Sequence, residues 1–176
     1  MNRARHLLFF AVVVLALAVV LGACSPSPKA RADEFVKYLP GNVGDWERED
    51  GDTVKLLSST VSSEGHVILF YEGSDDAIAY IVVEAYPSVD AAEVAYTLRM
   101  RDLLMQGLEF ERDRAPRFAT ADIAQSGRTR YAFFLENDMI VEIDVLAADA
   151  DNPVSDDAFN DLLTIVRNAF ATLDEG

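Results

Sequence analysis

The sequence is poor in the residues that build disulfides and transition-metal sites. Its 176 residues include one cysteine, Cys24, and two histidines, His6 and His66. One cysteine cannot form a disulfide within the chain, and zinc and copper sites need several histidine or cysteine ligands. The composition therefore excludes an intramolecular disulfide, and it predicts no metal site of this kind.

Basic residues are also scarce. Fifteen Lys and Arg stand against thirty Asp and Glu, which gives a formal net charge of −15 at pH 7. Proteins that bind nucleic acids need Lys and Arg to compensate the phosphates, and an anionic bilayer repels an acidic surface. The charge argues against a nucleic-acid partner. It keeps a protein soluble, or it indicates a basic partner or a bound cation.

The sequence also lacks recognisable motifs for catalysis and for cofactor binding. No Gly-x-Ser-x-Gly elbow accompanies His66, which we expect in a solvated turn, and no phosphate-binding loop or dinucleotide fingerprint occurs. We therefore predict no cofactor and no catalytic residue. Glu84, and Glu142 with Asp144, would act as acid and base if they faced a cleft. Their alternation with apolar residues favours the solvent face of strands instead, and a carboxylate-based hydrolase is kept as an alternative.

An acidic segment at residues 149–157 suggests a calcium loop at first sight. Counted from Asp149, an EF-hand loop needs an oxygen ligand at its fifth place and glycine at its sixth. The sequence has Pro153 and Val154 at these places. The segment therefore predicts an ordinary capped loop, and no metal ligand is assigned.

The first 24 residues are the most informative stretch of the chain. Arg3 and Arg5 precede an apolar run, Leu7–Val20, which is shorter than the roughly 20 residues of a spanning helix. The run leads into Leu21-Gly22-Ala23-Cys24. This motif resembles the lipobox of bacterial lipoproteins.

The resemblance implies cleavage before Cys24 and a diacylglyceryl group on its sulfur. It predicts a signal peptide over residues 1–23, a lipidated tether over residues 24–31 and a single domain over residues 32–176. The domain would be anchored outside the cytoplasm, in the cell membrane or the outer membrane. Removal of the leader changes the formal charge from −15 to −17, because the leader contains two arginines and no acid. The alternatives are an ordinary secretory signal, with Cys24 as a free thiol, and an uncleaved anchor helix.

The hydrophobic pattern of the remaining chain predicts an α+β fold. Period-two alternation and β-branched residues indicate strands over residues 54–61, 67–71, 79–86, 108–111, 118–124, 129–136 and 139–146. Spacings of three and four indicate helices from Ser88 to about Gly107 and from Ser155 to Leu173, with two further helical turns over residues 32–39. The core stripe of the first long helix would consist of Ala91, Val94, Ala95, Leu98 and Met105.

These elements predict an antiparallel sheet of six or seven strands with two amphipathic helices. The order strand–strand–helix occurs twice, so a pseudo-repeat is possible. The layout resembles the small extrinsic PsbP-type sandwich domains. That resemblance implies a fold and no function.

Three aromatic residues are candidates for ligand binding. Trp46 is the only tryptophan, and it would either close one end of the core or stack on a ligand. Tyr80 and Tyr86 lie on one side of their strand with Val82. If the helices cover only the other side of the sheet, this side is a binding groove. The sequence thus predicts a non-enzymatic binding or accessory module for a protein or a small molecule, and a structural subunit of an envelope complex is a further alternative.

Overall fold

The chain folds around one antiparallel sheet with helices on both of its faces. The structure, a computed structural model, describes residues 26–49, 65–113 and 119–175. Within these residues the helices are α1 (Pro28–Lys37), α2 (Val89–Met105) and α3 (Asp156–Glu175). The strands are β1 (Asn42–Val43), β2 (Trp46–Arg48), β3 (Gly65–Glu72), β4 (Ile78–Ala85), β5 (Phe110–Asp113), β6 (Ala121–Ser126), β7 (Thr129–Glu136) and β8 (Met139–Leu146). The predicted α+β class is confirmed.

The strand order is β1-β2-β3-β4-β8-β7-β6-β5, and every neighbouring pair is antiparallel. The described residues therefore form eight strands, whereas six or seven were predicted. The additional strands are β1 and β2, which have two and three residues and are too short to show an alternating pattern. The strand predicted over residues 54–61 lies outside the described residues.

One face of the sheet, the first face, carries the main core. It consists of the inward side chains of the central strands, such as Ile81, Val83, Val141 and Ile143, which are all fully buried. Helices α1 and α3 pack on this face. They contact each other through Phe35 and Phe170, whose ring centroids are 4.7 Å apart. The apolar residues of α3 recur at spacings of three and four, and these are buried: Phe159, Leu162, Leu163, Val166, Ala169 and Phe170.

The opposite side, the second face, carries Tyr80, Val82 and Glu84 of β4 and Ile140, Glu142 and Asp144 of β8. Helix α2 packs here and buries its Ala92 and Ala95 in one cluster with Tyr86 and Ile140. The order strand–strand–helix does repeat along the chain. The three-dimensional arrangement does not repeat. A two-fold axis between the antiparallel strands β4 and β8 would place α2 and α3 on the same face of the sheet, whereas they pack on opposite faces.

The core stripe predicted for α2 is right only in part. Ala95 is buried and Ala91 packs against the same cluster. Val94 is 56% exposed and Met105 is 74% exposed, however, and the buried Ala92 was not in the predicted stripe. The side of α2 that meets the sheet combines small residues with the polar side chains of Tyr96 and Arg99. A hydrophobic pattern cannot identify a stripe whose inner residues are alanine and arginine.

Helix α1 overlaps the tether predicted over residues 24–31. It begins at Pro28, which is buried, and the side chain of Ser27 caps it by accepting a hydrogen bond from Ala30 N. Serine at the N-cap followed by proline at the first helical position is a favourable helix start. None of the helices in the described residues combines the length and the apolar character needed to cross a bilayer.

Candidate functional site

Two carboxylates lie side by side on the second face of β8. Glu142 and Asp144 are two residues apart, and side chains at this spacing in a strand point to the same side. Strand β8 lies between β4 and β7, so these side chains are in the middle of the sheet rather than at an edge. Helix α2 crosses this face, and both carboxylates are mostly buried.

Arg99 of α2 connects this pair to a third carboxylate. Its Nη2 donates a hydrogen bond to Glu84 Oε2 over 2.7 Å, and its Nη1 donates one to Glu142 Oε2 over 3.1 Å. Glu84 is 1% exposed, and it also accepts a 3.0 Å hydrogen bond from the hydroxyl of Tyr86. His66 Nδ1 lies 3.3 Å from the other oxygen of Glu84. One arginine thus neutralises carboxylates from two adjacent strands.

The charge of Arg99 does not offset the burial of Glu142 and Asp144. Burial, with the added negative charge of Asp144, raises the pKa of Glu142 to about 8, although Arg99 opposes the shift. Burial raises the pKa of Asp144 to about 6, although a hydrogen bond with Glu142 and the charge of Arg99 oppose the shift. The pair therefore retains a proton at neutral pH.

Aromatic side chains flank Asp144 on both sides. The register places Asp144 directly opposite Tyr80 of β4 and directly opposite Tyr131 of β7. Tyr80 is 38% exposed and packs edge to face on Phe70, with 5.4 Å between ring centroids. We call Phe70, Tyr80, Asp144 and Tyr131 the aromatic row. It combines a carboxylate with partly exposed rings.

A second polar cluster fastens the middle of α2 to the other half of the sheet. Tyr96 donates a 2.6 Å hydrogen bond to Asp122 Oδ2, and Arg112 binds both oxygens of the same carboxylate at 2.8 and 3.0 Å. Burial alone would raise the pKa of Asp122, but the hydrogen bonds from Arg112 and Tyr96 outweigh it and lower the pKa. This carboxylate is fully paired, so its role is structural.

The three aromatic candidates from the sequence do not form one site. Trp46 is 2% exposed, and its indole Nε1 donates a 2.8 Å hydrogen bond to the carbonyl oxygen of Ala158. Its ring covers Gly73, where a Cβ atom would lie 2.6 Å from the indole. Trp46 thus belongs to the main core at the end of the first face, beside a cleft of about 200 Å³.

The two tyrosines both lie on the second face, but only one reaches solvent. Tyr86 is fully buried, and burial together with the charge of Glu84 raises its pKa above the ordinary value. It positions Glu84. Tyr80 is the candidate that belongs to the aromatic row. Cys24 lies outside the described residues.

Sequence reasoning missed two residues of this site. Arg99 was not considered, although it follows Ala92 and Ala95 at helical spacing and so shares their face. His66 was expected in a solvated turn, but it lies within β3, opposite Glu84 on β4. The solvent-face interpretation of Glu84 and Glu142 was also wrong, because α2 covers them.

Metal-binding geometry is not found in the part of the chain that the structure describes. No group of three or more His, Cys, Asp or Glu side chains there is arranged to hold a metal ion. In the acidic segment after β8, Asp149 Oδ1 accepts a hydrogen bond from Asp151 N. Asp156 pairs with Arg130 over 2.9 Å. These contacts occupy oxygens that a cation would need.

Among solved structures, this chain shows a low similarity to the extracellular domain of PknH from Mycobacterium tuberculosis, with 13% sequence identity and a TM-score of 0.38. The match covers 60% of this chain and 64% of that chain, so this protein spans less than two thirds of its length. No protein-family model matches the sequence, and no curated protein matches it. The function has to be argued from the residues of the second face.

Proposed function

We propose that this chain is a lipid-anchored, non-enzymatic binding module that is held outside the cytoplasm and takes up its ligand at the aromatic row. The observation that carries the proposal is the position of Tyr80. Its ring is 38% exposed in the middle of an antiparallel sheet, next to the half-buried Asp144. A partly exposed ring beside a few polar groups is typical of ligand sites.

The strands make the aromatic row a rigid platform. Strands β4 and β8 pair over their full length, from Ile78 opposite Leu146 to Ala85 opposite Met139. Strands β7 and β8 pair in the same complete way. Side chains on such strands are held more precisely than side chains on loops. A ligand on the row would therefore meet preorganised contacts.

Binding at the row can be tested with fluorine-labelled tyrosine. The chain has six tyrosines, so 3-fluorotyrosine gives six signals in the ¹⁹F NMR spectrum of the full chain in non-ionic detergent micelles. Single Tyr→Phe variants assign them. Pools of neutral, cationic and anionic small molecules are then added.

The proposal expects the signals of Tyr80 and Tyr131 to shift together. Tyr38 is an internal control, because it is 37% exposed but lies at the end of α1. A pool that shifts Tyr80 should lose this effect in Tyr80→Leu and keep it in Tyr38→Leu. Shifts confined to Tyr38, or no shift in any pool, would contradict binding at the row.

The membrane anchor rests on the lipobox Leu21-Gly22-Ala23-Cys24. A single acyl chain gives only marginal membrane binding, so stable retention requires at least two. Cys24→Ser should leave the precursor uncleaved or release the domain, with loss of partitioning into the detergent phase. Unchanged partitioning and an unchanged N-terminal mass would contradict the lipoprotein assignment without affecting the binding site.

A hydrolase is the second candidate, and the pair Glu142 and Asp144 favours it. One carboxyl with a pKa raised to about 8 and a neighbour at about 6 can supply an acid and a base at neutral pH. Nitrophenyl glycosides and esters test this candidate. Hydrolysis that Glu142→Gln abolishes and Glu93→Gln leaves intact would favour the enzyme. Equal background rates in all three proteins would favour the binding module.

A further inference from the structure

We propose that the ligand of the aromatic row is a small organic ammonium ion, held by the carboxylate of Asp144 between the rings of Tyr80 and Tyr131. This inference rests on the proposed function, since it names the chemical class of the ligand for the same site. It derives from three features of the second face: ring placement, unpaired negative charge and the absence of competing cations.

The rings come from the strands on either side of Asp144. Residues directly opposite each other in antiparallel strands have Cβ atoms about 4.5–5.5 Å apart. Tyr80 and Tyr131 are each opposite Asp144, so a phenol ring stands on each side of the carboxylate. Tyr131 is in turn stacked on Phe133, with 14° between the ring planes. Aromatic faces within about 6 Å attract ammonium groups.

Within the described residues, Asp144 forms no ion pair. Its Oδ1 is buried and has no hydrogen-bond partner among these residues. Arg99 is already engaged by Glu84 and Glu142. The other arginines of the described strands are engaged elsewhere: Arg48 on the carbonyl oxygen of Leu39, Arg112 on Asp122 and Arg130 on Asp156. The ion pairs of the described residues thus leave Asp144 available for an external positive charge.

An ammonium ion fits this chemistry better than a metal ion or an anion. Calcium and magnesium need about six oxygen ligands, whereas the aromatic row supplies one carboxylate, Asp144, and the faces of rings. An anion would meet Glu84, Glu142 and Asp144 with only one arginine to balance them. An ammonium group donates to the carboxylate through N–H or polarised C–H groups and lays its alkyl part on the rings.

Binding of a cation must also displace the proton of the carboxylate pair. Glu142 and Asp144 face Glu84 and Arg99, the rings of Tyr80 and Tyr131, and His66 and Tyr86 beyond Glu84. Burial raises the pKa of Glu142 to about 8 and that of Asp144 to about 6. A bound cation favours the ionised carboxylates. Affinity should therefore rise from about pH 5.5 to about pH 8, and protons should be released on binding.

The test uses choline and n-butylammonium as charged probes and 3,3-dimethylbutan-1-ol as the uncharged analogue of choline. Calorimetry of the full chain in non-ionic detergent gives affinity and proton release, the latter from buffers of different ionisation enthalpy. Potassium chloride at equal ionic strength controls for screening. The expected result is that a charged probe binds at least about tenfold more tightly than the alcohol and shifts the ¹⁹F signals of Tyr80 and Tyr131.

Three variants test whether Asp144 supplies the negative charge that binds the ligand. Asp144→Asn keeps the shape of the side chain and should weaken binding at least about tenfold. Tyr80→Leu should weaken it several-fold. Asp151→Asn makes the same change of net charge in an exposed loop after β8 and should leave affinity unchanged. The unshifted ¹⁹F signals of Tyr38 and Tyr71 report that each variant is folded.

Any one of three results would overturn the inference. Choline and the alcohol could bind with equal affinity, Asp144→Asn and Asp151→Asn could weaken ligand binding equally, or neither charged probe could bind. If a neutral or anionic compound shifts Tyr80 and the ammonium probes do not, the ammonium inference is wrong and the proposed function stands. If no compound shifts Tyr80, the proposed function is wrong as well.

Discussion

The guanidinium of Arg99 lies 2.7 Å from the carboxylate of Glu84, and this contact joins α2 to the middle of the sheet. Glu84 is 1% exposed, so its charge has little access to water. Burial alone would lower the pKa of Arg99, but Glu84 and Glu142 raise it. The contact therefore positions α2 over the second face and keeps the carboxylates beneath it in place.

Removal of Arg99 should be strongly destabilising. Arg99→Ala leaves Glu84 as a buried charge without its main partner, which typically costs about 3–5 kcal/mol. Thermal and urea unfolding followed by circular dichroism measure the loss. Arg101→Ala is the matched control, because Arg101 is two positions further along α2 and its side chain is 63% exposed.

The double variant Arg99→Met with Glu84→Gln should recover most of this stability, because it removes both charges. If Arg99→Ala costs no more than Arg101→Ala, the ion pair does not hold α2 on the sheet.

Stability should fall as the pH rises from about 5 to about 8.5. The pKa of Glu142 is raised to about 8 and that of Asp144 to about 6 in the folded state, so the folded chain binds more protons than the unfolded chain in this window. Unfolding free energy then decreases with pH. The lowered pKa of Asp122 acts in the opposite direction, but only below this window.

Glu142→Gln isolates the contribution of the pair Glu142 and Asp144 to the pH dependence of stability. The variant should be at least as stable as the native protein at about pH 8.5, and its melting temperature should depend less on pH. Glu93→Gln, an exposed change on α2, should keep the native slope. A parallel slope in the native protein and in Glu142→Gln would show that Glu142 is ionised in the folded state.

Truncation of Phe170 should test the packing of α3. Its ring lies 4.7 Å from Phe35 and 6.2 Å from Phe134 between centroids, and it is nearly fully buried. Phe170→Ala should cost about 3–5 kcal/mol, measured by urea unfolding. Asn168→Lys and Asn160→Lys, at exposed positions of the same helix, should cost little. A larger loss from the lysine variants would mean that α3 packs through its other face.

Chelation should leave the protein unchanged. EDTA should not alter the melting temperature, and the purified chain should carry no stoichiometric zinc, iron or copper. Millimolar calcium should raise the melting temperature by less than about 5 °C, since Asp149 and Asp156 are engaged by Asp151 N and Arg130. A larger rise that Asp151→Asn removes would identify a calcium site in the segment after β8.

The sequence predicts the centre of the sheet well because local signals agree there. Strands β7 and β8 have the predicted bounds, since Asn137-Asp138 forms a two-residue turn between alternating segments, and Asn137 adopts a positive φ of 52°. The stripe of α3 is equally clear. The short strands β1 and β2 are not predicted. Strand β2 pairs with β3, which is distant in sequence, and β1 pairs with β2.

The candidate site depends on tertiary placement that no local pattern contains. Alternating Glu84 and Glu142 predict a solvent face, and they would face solvent if α2 packed on the first face with α1 and α3. Helix α2 instead meets the second face through Ala92, Ala95 and Arg99. Arginine on the inner side of a helix becomes informative only when its buried partners are known.

The start of α1 at Pro28 limits how far the domain can stand from a bilayer. If Cys24 carries the proposed lipid, the three residues from Cys24 to Ser27 span at most about 10 Å. The N-terminal part of α1 contacts one end of the sheet, where Arg31 donates a hydrogen bond to Tyr86 O and pairs with Asp138 in the β7–β8 turn. That end would rest just above the headgroups, with the β3–β4 turn uppermost. The module would then work close to the membrane surface, and any molecule it captures would have to come to that surface.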